Sequence, residues 1–326
     1  MKISSYNKEG LNFIEVLNGS LLKVVFCNLG ASIFNIYFCD EQMTRNVKNI
    51  KDYKLPTCYY GKTIGRTCNR FKGNKLDING NLYTLEPNEG ENVLHGGVNG
   101  LSNKRFKSTI NTYSSYVEVV FTYLSPHLEG GYPGNLNLEV KYVVYKSVNK
   151  IDISYTASSD MDTFLALTNH SYYSLGDIDI SNIELRINGY RYLKTDYSSL
   201  LPVEILDVDE VRDFSKYKKI TDHIDSELLK GKMMNGYDTY WYFDEVKINK
   251  PNVSIRNQKY LLNVYTDFEG TQIYSSNYEP SFDLSSKFKY RDSVAIEPSD
   301  SFYKPAILLK GKTYRRNISL EFKKNK

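Results

Sequence analysis

Cysteine is scarce: Cys27, Cys39, Cys58 and Cys68 are the only four, and they form neither a CxxC pair nor a Cys/His metal spacing. A thiolate metal centre and a disulfide framework are therefore not expected, and the four read as reduced thiols, mostly in strands. No apolar run approaches the roughly 20 residues of a membrane-spanning helix. The segment from Met1 to Gly10 has no apolar core of a secretion leader, so a soluble, cytoplasmic protein without a membrane partner is expected. Charge of one sign is also missing, because 42 basic residues against 38 acidic leave a formal +4 and the basic residues are scattered. A nucleic-acid partner is not expected from that balance. Linkers rich in Pro, Gly or Ser, internal repeats and nucleotide-binding glycine loops are lacking as well.

Aromatic residues are abundant, with 29 Tyr and 15 Phe, which favours strands over a helical protein. Apolar and polar residues alternate at 151–155, 182–187 and 317–322, the pattern of strands with one buried face. Denser apolar runs at 21–38, 117–124 and 136–145 predict more deeply buried strands, with Gly30, Gly73, Gly80 and Gly134 at turns. Asn79-Gly80 between two apolar runs predicts a hairpin over 76–83. One short helix is expected over 222–234, with Asp222 as N-cap and Gly231 as an early stop. Strands spread over the whole chain predict an all-β, mostly antiparallel protein with few short helices, organised as one two-sheet sandwich domain over residues 1–326.

Only four histidines are available for chemistry. His95 precedes Gly96-Gly97 in a polar loop, where glycine permits close approach. His170 ends an apolar strand and reads either as a satisfied buried histidine or as a site residue. His127 and His223 read as surface residues. Arg66 and Arg70 frame a turn, and one of them is expected to be structural. Asp238 follows Gly236-Tyr237, and Glu297 ends an apolar strand, where a carboxylate must be exposed, paired or used. An arginine, two histidines, two carboxylates and many tyrosines suit a neutral polyhydroxylated ligand, whose hydroxyls meet polar groups and whose C–H faces meet rings.

In order along the chain stand Gly61-Lys62-Thr63-Ile64-Gly65-Arg66-Thr67-Cys68-Asn69-Arg70, Asn92-Val93-Leu94-His95-Gly96-Gly97 and Gly130-Gly131-Tyr132-Pro133-Gly134-Asn135-Leu136. Thr168-Asn169-His170-Ser171-Tyr172-Tyr173-Ser174-Leu175, Gly236-Tyr237-Asp238 and Ile296-Glu297-Pro298 follow. This succession resembles the aldose 1-epimerase (galactose mutarotase) family. The resemblance implies a galactose-mutarotase-like β-supersandwich with an open cleft for a free aldose such as galactose or glucose, and no cofactor or metal. It implies His170 and Glu297 as the catalytic acid and base. Arg70, His95, Asp238 and Asn69 would bind the sugar, Arg66 becomes the structural arginine, and the assembly is expected to be a monomer or homodimer.

Alternatives in the same fold are a hexose-6-phosphate epimerase, for which Lys104 and Arg105 are the candidate phosphate groups, and a non-catalytic sugar-binding protein. A glycosidase using Asp238 and Glu297 is a third. Thr239, Ser174 and the segment Ser299-Asp300-Ser301-Phe302 depart from the family pattern, so hydroxyl recognition is where a difference from the family is expected.

Overall fold

Alternation at period two builds the largest sheet. In Leu136–Tyr145 and Lys150–Ser159, buried residues alternate with solvent-facing ones, because successive side chains of a strand point to opposite faces. The computed structural model, which describes residues 1–19, 21–246, 249–278, 290–303 and 306–325, places these two strands side by side in a nine-stranded sheet. Its order is Lys107–Thr112, Tyr116–Ser125, Leu136–Tyr145, Lys150–Ser159, Thr313–Lys324, Tyr260–Thr266, Val253–Arg256, Glu184–Ile187 and Lys218–Lys219.

A five-stranded meander runs from Lys2–Lys8 through Ser32–Phe38 to Glu41–Gln42. The seven-stranded sheet follows the order Pro202–Asp207, Arg191–Thr195, Asp238–Tyr242, Gly270–Tyr274, Val294–Ser299, Tyr172–Tyr173 and Thr44–Arg45. Pairing in the three sheets is antiparallel among the described residues. One apolar core takes Val140, Ile153 and Leu320 from the nine-stranded sheet, Val24 and Phe26 from the meander, and Trp241, Ile273 and Ile296 from the seven-stranded sheet. Its driving force is removal of apolar surface from water.

The predicted hairpin is present: Lys75–Ile78 pairs with Asn81–Thr84. Both turn residues have positive φ, Asn79 at 54° and Gly80 at 81°, which a right-twisted two-residue hairpin requires. The helix expected over 222–234 is not. Turns and a single 3-10 turn, Glu227–Leu229, occupy that segment. Its buried apolar residues, Ile224, Leu229 and Met234, are spaced five apart, and a helix cannot bring such a spacing onto one face. The only α-helix among the described residues is Ile50–Tyr53, and no helix there is long and apolar enough to cross a membrane.

Arg66 is 2% exposed and ties loops together. Its guanidinium donates to the carbonyls of Pro133 (2.8 Å), Ser125 (2.9 Å) and Gly134 (3.0 Å). Arg66→Met leaves those buried acceptors unpaired, and about 3–5 kcal/mol of stability should be lost. Urea denaturation measures this, and a loss below about 1 kcal/mol would remove Arg66 from its structural role.

Candidate active site

Strand register assembles one wall of the site. Glu297 lies opposite Gln272 in the ladder between Gly270–Tyr274 and Val294–Ser299, and Asp238 lies opposite Tyr274 one strand further. On the other side Tyr172 pairs with Ala295 and Tyr173 with Val294. Continuing that register by two residues sets His170 opposite Glu297. Period-two alternation then puts Asp238, Gln272, Tyr274, Glu297, His170 and Tyr172 on one face, while Tyr237, Trp241, Ile273, Ile296 and Tyr173 enter the core from the other. His170 Nε2 is 3.4 Å from Glu297 Oε1, with both side chains 5% exposed.

Two loops supply the rest. Val93–Leu94 pairs with Arg70–Phe71, which brings His95 beside Asn69. Gly96 makes the approach possible: with φ of 88°, it lies so close to Gly65 that a Cβ would stand 2.1 Å from the Gly65 carbonyl oxygen. His95 itself has φ of 52° and Asn69 58°, a left-handed backbone uncommon outside glycine and asparagine. The Asn69 N–H donates to His95 Nδ1 at 3.3 Å, and the Asn69 Oδ1 accepts from Arg70 N–H. Arg70 donates to both oxygens of Glu89, at 2.8 and 2.9 Å, and stands 3.9 Å from Asp238. Gln272 Nε2 donates to Asp238 Oδ1.

Burial dominates the electrostatics. It pushes the Glu297 carboxyl well above the usual range, with Asp238 adding to the rise and Arg70 opposing it. It drives the His170 imidazole down to about 3. Both shifts favour an uncharged pair, neutral imidazole beside carboxylic acid, in which Glu297 and His170 share a single proton. His95 is also held well below its ordinary value, by burial first and then by His170 and Arg70. Asp238 is raised by burial against the pull of Arg70. Arg70, which burial alone would lower, is raised by Asp238 and Glu89.

These groups line a cavity of about 390 Å³, together with Tyr59, Tyr172, Tyr274, Tyr278, Met233 and Lys232. All six residues expected from the sequence to act on the sugar, namely His170, Glu297, Arg70, His95, Asp238 and Asn69, lie there. A larger groove of about 720 Å³ crosses the outer face of the nine-stranded sheet, but it contains no histidine facing a carboxylate. Gln272 escaped the sequence reading, since a lone glutamine in a strand carries no motif; its register opposite Glu297 is the signal. His127 and His223 line no part of the cavity.

Several expectations are corrected by position. Thr239, Ser174 and residues 299–302 are absent from the cavity lining among the described residues. Thr239 is 3% exposed and faces the core side of its strand, Ser174 is fully buried, and Asp300 pairs with Arg316. These departures therefore do not touch a ligand held in the cavity. Lys104 is 2.8 Å from Glu129, and Arg105 lines the outer groove, so neither supplies a phosphate site beside His95. Among the described residues, Lys232 is the lysine at the cavity.

His95, His170 and Glu297 present donor atoms within 4.8 Å of one another, a grouping compatible with a metal in composition. The hydrogen bonding argues otherwise. A metal-bound histidine gives its second N–H to an acceptor, whereas His95 Nδ1 accepts from Asn69 and the buried His170 Nδ1 finds no acceptor in another residue among those described. Neutral His95 thus carries its proton on Nε2 and is a donor there.

A family model described as Aldose 1-epimerase matches residues 13–321. Galactose mutarotase of Sus scrofa is 28% identical over 273 residues, 80% of this chain and 77% of that one. Aldose 1-epimerase of Escherichia coli (strain K12) is 30% identical over 235 residues, 69% of this chain and 66% of its own. The crystal structure of galactose 1-epimerase from Lactobacillus acidophilus NCFM superposes with a TM-score of 0.89 at 24% identity, covering 100% of this chain and 99% of the other. The architecture is accordingly a galactose-mutarotase-like β-sandwich, and with a match along nearly its whole length the chain belongs to the aldose 1-epimerase family of isomerases.

Proposed function

We propose that the protein interconverts the α and β anomers of a free aldohexose such as galactose or glucose, with His170 and Glu297 as the acid–base pair. The observation that carries this reading is the buried pair itself, two proton-transfer groups 3.4 Å apart beside a cavity lined by hydrogen-bonding groups and tyrosines. Glu297 as carboxylate takes the proton of the C1 hydroxyl while His170 gives its proton to the ring oxygen. The C1–O5 bond breaks, C1 becomes a carbonyl, and rotation about C1–C2 turns its other face to the hydroxyl. Closure reverses both transfers and yields the opposite anomer.

The proton count is conserved. Opening starts from imidazolium and carboxylate and ends with neutral imidazole and carboxylic acid, so the pair carries one proton throughout. Burial favours the neutral arrangement, and one transfer from Glu297 to His170 produces the reactive form. Arg70, Asp238, Gln272 and the Nε2–H of His95 supply the hydrogen bonds that fix the sugar, and such positioning is worth orders of magnitude in rate. No disulfide joins the four cysteines, which suits the cytoplasm, where we place the protein.

The kcat/KM profile should fall on both sides of the state in which the pair holds one proton. The acid limb appears when the pair gains a second proton, below the ordinary histidine range. The alkaline limb appears when it loses its only proton, above the ordinary carboxylate range. A kcat/KM profile that falls as the pH drops through about 6.5, as the protonation of an exposed catalytic histidine would give, contradicts the shared-proton pair. The activity itself is tested by polarimetry of freshly dissolved α-D-galactose and α-D-glucose in a weakly catalytic buffer. Acceleration proportional to protein is expected, and its absence with both sugars from folded protein would defeat the proposal for these two aldoses.

A further inference from the structure

The His170 backbone is fixed from both sides: its N–H donates to Lys62 O at 3.0 Å and its carbonyl accepts from Gly61 N–H at 2.8 Å. The ring is not held in the same way. Acid–base histidines are ordinarily oriented by a hydrogen bond to the nitrogen remote from the reaction, yet among the described residues no other residue gives the buried His170 Nδ1 such a partner. Two tyrosine rings flank the imidazole instead. Tyr172 stacks on it with centroids 4.9 Å apart and planes 23° from parallel, and Tyr59 stacks at 6.0 Å and 20°.

Tyr172 is itself held firmly. Its backbone pairs with Ala295 on one side and Arg45 on the other, and its ring contacts Tyr60 at 4.4 Å and the edge of Tyr274 at 6.3 Å. The spacing of two in an extended chain explains why it meets His170, since residues i and i+2 share a face. From the other elements, His170 faces Glu297 at Nε2 and the His95 ring, which is 5.1 Å away at 78°; Arg70 and Asp238 act on it through Glu297 and His95.

We propose that Tyr172, assisted by Tyr59, is a positioning residue for the reaction: its ring face sets the plane of the His170 imidazole and favours the imidazolium by cation–π attraction. This rests on the anomerase reading above. A cation within about 6 Å of an aromatic centroid is attracted to the ring face, so the tyrosines oppose the burial that disfavours charge on His170. They raise the population of the imidazolium–carboxylate form from which ring opening starts. The ring face carries this effect, so the phenol hydroxyl of Tyr172 is dispensable.

The test compares Tyr172→Phe with Tyr172→Leu. The Phe variant should keep kcat within about threefold of wild type. The Leu variant should lose roughly 10- to 100-fold in kcat with KM within about twofold, and its acid limb should move down by about one pH unit. Independently of turnover, the ¹⁵N imidazole resonances of His170, assigned by their loss in His170→Asn, should stay sharp in the Phe variant and broaden in the Leu variant at neutral pH. Wild-type kcat and sharp resonances in Tyr172→Leu would overturn the proposal. Equal losses in both variants would assign the effect to the hydroxyl, and a change confined to KM would make Tyr172 a sugar platform. Should the wild-type protein be inactive on every aldose offered, the anomerase reading fails and the resonances alone decide whether the tyrosines hold the ring.

Discussion

Glu297→Gln should lower kcat about 10³-fold while leaving the fold and KM nearly unchanged. The amide occupies the same volume and can still accept and donate hydrogen bonds, but it cannot take the C1 proton, and a positioned general base contributes roughly 10²–10⁴-fold. Stability should be preserved for a specific reason. Burial already pushes Glu297 toward its neutral form, so a neutral amide imitates the form that burial favours and adds no new buried charge. Polarimetric kcat and KM, with a urea midpoint alongside, measure both halves of the expectation. Turnover within tenfold of wild type would remove Glu297 from the proton-transfer pair, and a large fall in the urea midpoint would assign it a structural role instead.

His170→Asn should be comparably damaging, about 10²- to 10⁴-fold in kcat, because asparagine has no proton to transfer at any accessible pH. The backbone bonds to Lys62 and Gly61 do not depend on the side chain and should persist. The smaller residue leaves space beside Tyr59 and Tyr172, and a cost of roughly 1–3 kcal/mol in stability is expected from that cavity. Combining the two substitutions gives a sharper test. Residues that act as one unit do not lose activity additively, so the double variant should be about as slow as the worse single variant. Multiplied losses would mean that each residue acts alone, and near-wild-type rates in His170→Asn would overturn its assignment as the acid.

Much of the site could be read before the fold was seen, for identifiable reasons. His95 sits against two glycines, and its loop needs Gly96 for the contact with Gly65. Glu297 follows the apolar run Val294-Ala295-Ile296 in its strand, and such a carboxylate has to be accounted for. Gln272 is the counterexample: nothing local distinguishes it, and it matters because the ladder puts it opposite Glu297 and beside Asp238. Tyr59 and Tyr172 were two among 29 tyrosines. Thr239, Ser174 and residues 299–302 stand close to site residues in the chain but outside the cavity lining. Alternation sends Thr239 away from its neighbour Asp238, which adjacency in sequence conceals.

By itself the amino-acid sequence determined the strands, the 76–83 hairpin, the antiparallel all-β class and the set of residues with the chemistry to move a proton. Those properties depend on period-two patterning, turn chemistry and side-chain type, all local quantities. It misjudged the segment 222–234, whose buried apolar residues, Ile224, Leu229 and Met234, are spaced five apart and cannot share one helix face. Tertiary structure alone decided which of the candidate groups meet. Register across the seven-stranded sheet set His170 opposite Glu297, a left-handed turn fixed His95 through the Asn69 N–H, and burial pushed the pair toward its uncharged form. Each of these arises from contacts between segments remote in the chain, and desolvation exists only once those segments have closed over the site.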